Sequence, residues 1–222
     1  MTQLTAASSI ILAHMGDSIT YGQYIDPKLR WTSLVAEWLH EMDLNAPVKV
    51  KSVNRGVSGE TTRMGLERFP KDVQELNPDI LTLQYGLNDC NCWETDRGLP
   101  RVSKEAFRAN LIEMIIRARK FGAKQIILAN NHKTLRDKVM LNGERYEDAN
   151  AAYGEISREV AIQTNAKFCD IREAFDKRSI DELDGLLLPY PDQLHLSVEG
   201  NQLYAKTIWP YIRSAVEAVI KQ

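Results

Sequence analysis

Ser18 stands behind a short apolar run, in the string Met15-Gly16-Asp17-Ser18. A serine hydroxyl is a poor nucleophile until a base removes its proton. With Gly16 letting the backbone turn sharply, its Oγ is expected to project beyond the end of a strand. His195 is the candidate base, because a neutral imidazole near pH 7 accepts a proton and later returns it. Asp192 lies three residues earlier, a separation that places two side chains on neighbouring positions of one turn. From there a carboxylate can accept the Nδ1–H, fix the tautomer and stabilise the imidazolium that forms.

Acyl transfer through such a trio also needs donors aimed at the developing oxyanion, each worth roughly 10²–10³ in rate. Asn88 offers a side-chain amide, and Gly59 offers a backbone N–H that no side chain crowds. The N–H of Ser18 is the natural third donor. Each of these residues also has an ordinary reading, as a turn or N-cap residue, a surface pair or a loop glycine. What discriminates is where the elements put them.

Those elements alternate. Ile10 to His14 reads as a buried strand and Trp31 to Met42 as a helix with one apolar face. Val48 to Val53, Ile80 to Tyr85, Gln125 to Ala129 and Ala166 to Ile171 read as further strands. Between them lie helical stretches from Thr62 to Leu76, interrupted at Pro70, from Ser103 as N-cap to Phe121, and from Tyr146 to Thr164. Ser197 to Ile220 reads as a last helix that Pro210 bends. Strands separated by helices pair in parallel through right-handed crossovers. The expected fold class is α/β, one domain over residues 1–222, a three-layer α/β/α sandwich on about five parallel strands. Ligands of such sheets bind beyond the C-terminal strand ends. The unusual residues collect there: Gly16-Asp17-Ser18 after the first strand, Asn54 to Gly59 after the second, Gly86 to Asp89 after the third.

This conjunction resembles the SGNH hydrolases, the GDSL esterase/lipase family. The resemblance rests on Met15 to Gly22, Asn54, Ser58-Gly59-Glu60-Thr61, Gly86-Leu87-Asn88-Asp89, and Asp192-Gln193-Leu194-His195 with Gly200. It implies Ser18 as nucleophile, His195 and Asp192 as its partners, and Ser18, Gly59 and Asn88 as the oxyanion hole. It also implies a flavodoxin-like strand order and no metal or organic cofactor. Two positions depart from the family pattern: Leu196 where proline often follows the histidine, and Asn201 where a histidine often follows the glycine.

The implied activity is hydrolysis of a carboxylic ester through an acyl-serine intermediate. Thioesterase, lysophospholipase and acyltransferase variants use the same groups. A reading of another class, a flavodoxin-like binding module, lacks a phosphate-cradling GxGxxG. For the substrate, Trp93 and Arg97 in one loop and His132 and Arg136 in another are the candidate contacts. Lys133, Lys138 and Arg145 would add to a cationic rim facing a polar alcohol such as an O-acetylated sugar.

Other residues have structural readings. His14 is expected as a hydrogen-bonded core histidine and His40 as a surface one, with Asp17 and Asp89 tying loops down. Cys90-x-Cys92 has no second pair to complete a metal site.

The bulk composition excludes other classes. The 222 residues are 44% hydrophobic and 26% charged with a net charge of -2, which offers no basic face for nucleic acid. No run approaches the roughly 18 apolar residues of a membrane span. The start of the chain has no basic n-region, and its three cysteines are an odd number. Both point to reduced thiols and a cytoplasmic location. The expected partner is a small-molecule ester. Oligomeric state is not legible.

Overall fold

A computed structural model describes residues 9–42 and 48–222. Its centre is a five-stranded parallel sheet in the order β2-β1-β3-β4-β5. The strands are β1 (Ser9–Gly16), β2 (Lys49–Gly56), β3 (Ile80–Gln84), β4 (Gln125–Ala129) and β5 (Lys167–Cys169). This is the flavodoxin-like order, in which the chain reverses direction of growth beside β1. The inner strands are apolar on both faces: Leu12, Ala13, Met15, Ile80, Leu81 and Leu83 are all fully buried. Sheets covered on both sides need such continuous apolar runs.

The helices are α1 (Ser18–Tyr21), α2 (Trp31–Glu41), α3 (Thr62–Phe69), α4 (Lys104–Lys120), α5 (Tyr146–Thr164), α6 (Ile171–Asp176), α7 (Ile180–Leu186) and α8 (Val198–Ile220). On one face α8 packs against α2, α6 and α7, and on the other α4 packs between α3 and α5. Ser103 caps α4 by accepting from the Ala106 N–H, and Asn165 in the left-handed region ends α5. α3 ends at Phe69, and a π-helical turn over Pro70–Gln74 continues it. Proline lacks the N–H that would extend the α-helical ladder there.

The sequence expectation missed α6 and α7 and made β5 too long. Elements of six or seven residues hold less than two helical turns, too little for periodicity to register. β1 and β2 run further than expected, to Gly16 and Gly56, which pair with each other. α8 continues through Pro210.

Candidate active site

Register brings three loops to one level. Gly16 pairs with Gly56 on one side and with Gln84 on the other. Ser18 follows β1 by two residues, Gly59 follows the end of β2 by three, and Asn88 follows the end of β3 by four. All three therefore lie beyond the same sheet edge, with the Ser18 strand in the middle.

Ser18 opens α1, whose N-cap Asp17 accepts from the Ile19 N–H at 2.9 Å. Gly16 is required by close approach: a Cβ there would lie 2.2 Å from Thr20 Oγ1 and 2.6 Å from the Gln84 carbonyl. The short helix is pinned from every side. Thr20 Oγ1 donates to Gln84 Oε1 at 2.9 Å, and Gln84 Nε2 donates to Asn131 Oδ1 at 2.6 Å. Asn54 Nδ2 donates to the Thr20 carbonyl at 2.7 Å, and Trp31 Nε1 donates to that of Ile19 at 2.9 Å. Ser18 itself is buried.

From the far end of the chain, the turn before α8 delivers His195. Its Nε2 lies 3.0 Å from Ser18 Oγ, so the serine O–H can donate to it. The Nδ1–H donates to Asp192 Oδ2 at 2.8 Å. Asp192 Oδ1 accepts the backbone N–H groups of Leu194 and His195 at 3.0 and 2.7 Å. Burial alone would raise the Asp192 pKa, but these bonds from His195 and Leu194 outweigh it and hold the carboxylate below its usual range. The result is an unbroken hydrogen-bonded line from hydroxyl to imidazole to carboxylate. Such a line can move a proton off Ser18 and stabilise the imidazolium that results.

Gly59 occupies a left-handed turn at φ +76°, and a Cβ built there would meet nothing. A glycine is needed for the backbone conformation, not for space. Its carbonyl accepts from Arg101 Nη1 at 3.1 Å. Beneath it, Glu60 is buried and held by Arg68 and by the Tyr85 hydroxyl at 2.6 Å. Asn88 is half-buried in the turn after β3, whose neighbour Asp89 accepts the N–H and hydroxyl of Thr62. Asp17 and Asp89 thus tie loops down, as expected. Burial pushes their carboxyls up, to about 7 and about 6.

The expected substrate contacts fare unequally. Trp93 and Arg97 are exposed, and the Arg101 guanidinium lies over the Trp93 ring at 4.1 Å. His132 is fully buried, so it is not a surface that substrate can touch. Its Nε2–H donates to the Leu194 carbonyl at 2.8 Å, and burial lowers its pKa to about 4. Nor does it compete with His195 for Ser18. Arg136, itself partly exposed, is paired with the Asp192 carboxylate. Of the other rim cations, Lys133 pairs with Asp176 and Arg145 with Asp137, so the cationic rim is largely neutralised from within the fold. Sequence charge alone could not reveal that, because the partners come from other elements or from the far side of a turn.

Tyr24 is the residue that sequence reasoning passed over. It is 70% exposed, sits at φ +65°, and presents its ring edge-on to His195 with centroids 5.3 Å apart. An unstrained loop would place a glycine or asparagine there, so its conformation is the only signal, and it needs coordinates. Cys90 and Cys92 are free and buried, with Sγ atoms turned to the Leu87 and Gly98 carbonyls. His14 is buried between Thr82 Oγ1 and Ser52 Oγ, at 2.9 and 3.0 Å, and His40 is exposed, both as expected.

Known proteins share this framework. The sequence profile of the GDSL-like lipase/acylhydrolase family matches residues 14–203. Esterase TesA of Pseudomonas aeruginosa is 30% identical over 216 residues, covering 96% of this chain and 92% of that protein. The acetylxylan esterase of Geobacillus stearothermophilus is 25% identical over 160 residues, covering 71% and 69%. A match to the Bacillus subtilis lipoprotein YqeF, 34% identical, covers 51% of this chain and spans only 45% of that protein's length. Among solved structures, the lipase/acylhydrolase from Enterococcus faecalis superposes with a TM-score of 0.73 at 28% identity, covering 92% of this chain and 96% of that one. The chain belongs to the GDSL-like lipase/acylhydrolase family and is an ester hydrolase of that kind.

Proposed function

We propose that the protein hydrolyses short-chain acyl esters of a polar alcohol through an acyl-serine intermediate, with Ser18, His195 and Asp192 as the catalytic triad. The observation that carries this reading is the continuous bonding of Ser18 Oγ to His195 Nε2 and of His195 Nδ1 to Asp192 Oδ2. His195 takes the Ser18 proton as Oγ attacks the ester carbonyl. The N–H groups of Ser18 and Gly59 and the side-chain amide of Asn88 receive the oxyanion. Collapse expels the alcohol, which leaves with the proton from His195. Water then enters, gives a proton to His195 and attacks the acyl-serine, and the acid departs as Ser18 regains its proton.

Two features favour a small acyl group. The crevice lined by Ser18, Gly22, Gln23, His195 and Leu196 is too narrow to hold even a water molecule, so no deep acyl tunnel opens there. The larger clefts, beside Lys167 and Tyr211 and between α7 and α8, do not include Ser18 in their walls. For the alcohol, the exposed aromatic rings are Tyr24, beside His195, and Trp93, which Arg101 covers on one face and links to the Gly59 turn. Flat aromatic faces suit a sugar or aryl ring, and one relative is an acetylxylan esterase. An O-acetylated carbohydrate is the substrate class we favour. We place the enzyme in the cytoplasm on its three free, buried thiols, which cell fractionation would test.

The decisive assay sets p-nitrophenyl esters of increasing acyl length and acetylated xylo-oligosaccharides against wild type, Ser18→Ala and His195→Ala. Both variants should lose about 10⁴-fold or more in kcat, and acetyl should be the preferred acyl group. Equal activity in wild type and Ser18→Ala would overturn the triad, and a preference for long acyl chains would overturn the substrate class.

A further inference from the structure

The turn that carries Asp192 and His195 is held by the loop after β4, and by an unusually complete set of bonds. Three consecutive carbonyls of the turn each accept from that loop. The Asp192 carbonyl accepts from Arg136 Nε at 2.6 Å. The Gln193 carbonyl accepts from the N–H groups of Leu135 and Arg136 at 2.9 and 3.1 Å. The Leu194 carbonyl accepts from His132 Nε2 at 2.8 Å. Gln193 sits at φ +52°, a conformation that costs a non-glycine residue energy, and these bonds are what holds it there. The loop is itself braced against α5: Asn150 Nδ2 donates to the His132 carbonyl at 3.0 Å, and Thr134 Oγ1 donates to Glu147 at 2.8 Å.

Arg136 does more than brace. While its Nε holds the Asp192 backbone, its Nη2 lies 3.0 Å from Asp192 Oδ2, the same oxygen that accepts the His195 Nδ1–H. The guanidinium therefore holds Asp192 at two points, one on its backbone carbonyl and one on its carboxylate. It also places a permanent positive charge on the oxygen that must stabilise the imidazolium.

We propose that Arg136 is a positioning residue of the triad, clamping Asp192 by backbone and carboxylate together and setting its charge on the oxygen that Asp192 shares with His195. The inference rests on the catalytic reading of Ser18, His195 and Asp192 given above. A cation on that oxygen also faces the positive charge that the imidazole gains as Ser18 gives up its proton, so its removal acts on charge as well as on geometry. The other ionisable groups around the pair are few. Tyr24 meets the His195 ring from α1's side, and His132 lies beneath, neutral near pH 7. Arg172 of α6 is paired with Glu147 of α5.

The test is the pH profile of kcat/KM, with kcat and KM at the optimum, for wild type, Arg136→Gln and Arg136→Lys. Arg136→Gln removes charge and fork, and should move the acid limb to higher pH. The kcat at the optimum should fall about tenfold. Arg136→Lys keeps the charge without the fork: the acid limb should stay in place while kcat falls. Profiles that coincide in all three proteins would overturn the proposal, as would a limb that moves equally for both variants. Should Arg136→Gln fail to fold, the lysine variant decides alone, since a shifted limb or an undiminished kcat there contradicts it. Ser18→Ala and His195→Ala controls separate the two failures. If those controls keep full activity the triad itself falls, whereas if they are inactive and the profiles coincide only the role of Arg136 falls.

Discussion

At the scale of single residues, the site depends on atoms that have no room to move. Gly16 shows this most sharply, because a Cβ would press on the Gln84 carbonyl of the neighbouring strand as well as on Thr20. The hydroxyl could turn away, but the backbone carbonyl is fixed by the sheet. Relief must come from shifting α1, and Ser18 with it. Misplacement of a reacting group by about 1 Å costs roughly 10² in rate. Gly16→Ala is accordingly expected to lower kcat about 100-fold, with a smaller effect on KM. Steady-state kinetics on a p-nitrophenyl acetate probe would check this, and an unchanged kcat would show that the nucleophile tolerates the shift. The residue types of Ser18, Asp192 and His195 were legible in the sequence. The burial of His132 and the pairing of Arg136 with Asp192 were not, since a side chain's direction depends on elements far away in the chain.

At the scale of elements, the site is assembled from helix and strand ends that must be tied to each other. Asn201 is one of these ties. Its Oδ1 accepts the Trp31 N–H at the start of α2 at 3.0 Å, while its Nδ2 donates to the Ser197 carbonyl at 2.9 Å. One side chain thus satisfies an orphan donor of one helix and the first turn of another, on the face where Trp31 stacks on Tyr204 at 4.7 Å. This accounts for one departure from the family pattern. The other, Leu196, is buried and bridges to Leu187. Asn201→Leu strands the Trp31 N–H in the interior and should cost about 1–3 kcal/mol, read as a lower urea midpoint. A midpoint equal to that of wild type would mean water replaces the amide. The longer elements were legible from their periodicity, and β4 and α5 fall where it places them. α6 and α7 were not, because short helices are chosen by what they pack against.

At the scale of the whole molecule, four buried titratable groups oppose one another. Burial holds Asp17 and Asp89 at about 7 and about 6, above the 3.8 of a free aspartate, so their stabilising contribution is lost as pH rises through those values. Burial lowers His14 and His132 to about 3 and about 4 from 6.5, so their contribution is lost as pH falls towards those values. Between about pH 4 and 6 each group gives a slope of about 1.4 kcal/mol per pH unit. Two fall and two rise, so they cancel. Wild-type stability by urea unfolding should be nearly level from about pH 4.5 to 5.5. In Asp17→Asn, which keeps the cap on Ile19, it should instead rise with pH by about 1.4 kcal/mol per unit. A stability that falls with pH in that variant would contradict the balance.

The sequence by itself determined the alternation of strand and helix and the sheet edge at which chemistry-bearing residues gather, and it singled out Ser18, Asp192 and His195 as the candidate triad. These follow from local rules: hydrophobic period, turn residues, and the few side chains able to act as nucleophile or base. Only the tertiary structure decided that His195 reaches Ser18 across 177 positions of sequence, and which charges spend themselves on each other. It alone paired Arg136 with Asp192, buried His132 and set Tyr24 against His195. The physical reason is range. Propensity and pattern act over a few residues, whereas the direction and pairing of a side chain are fixed by whatever distant segment the packed core brings beside it.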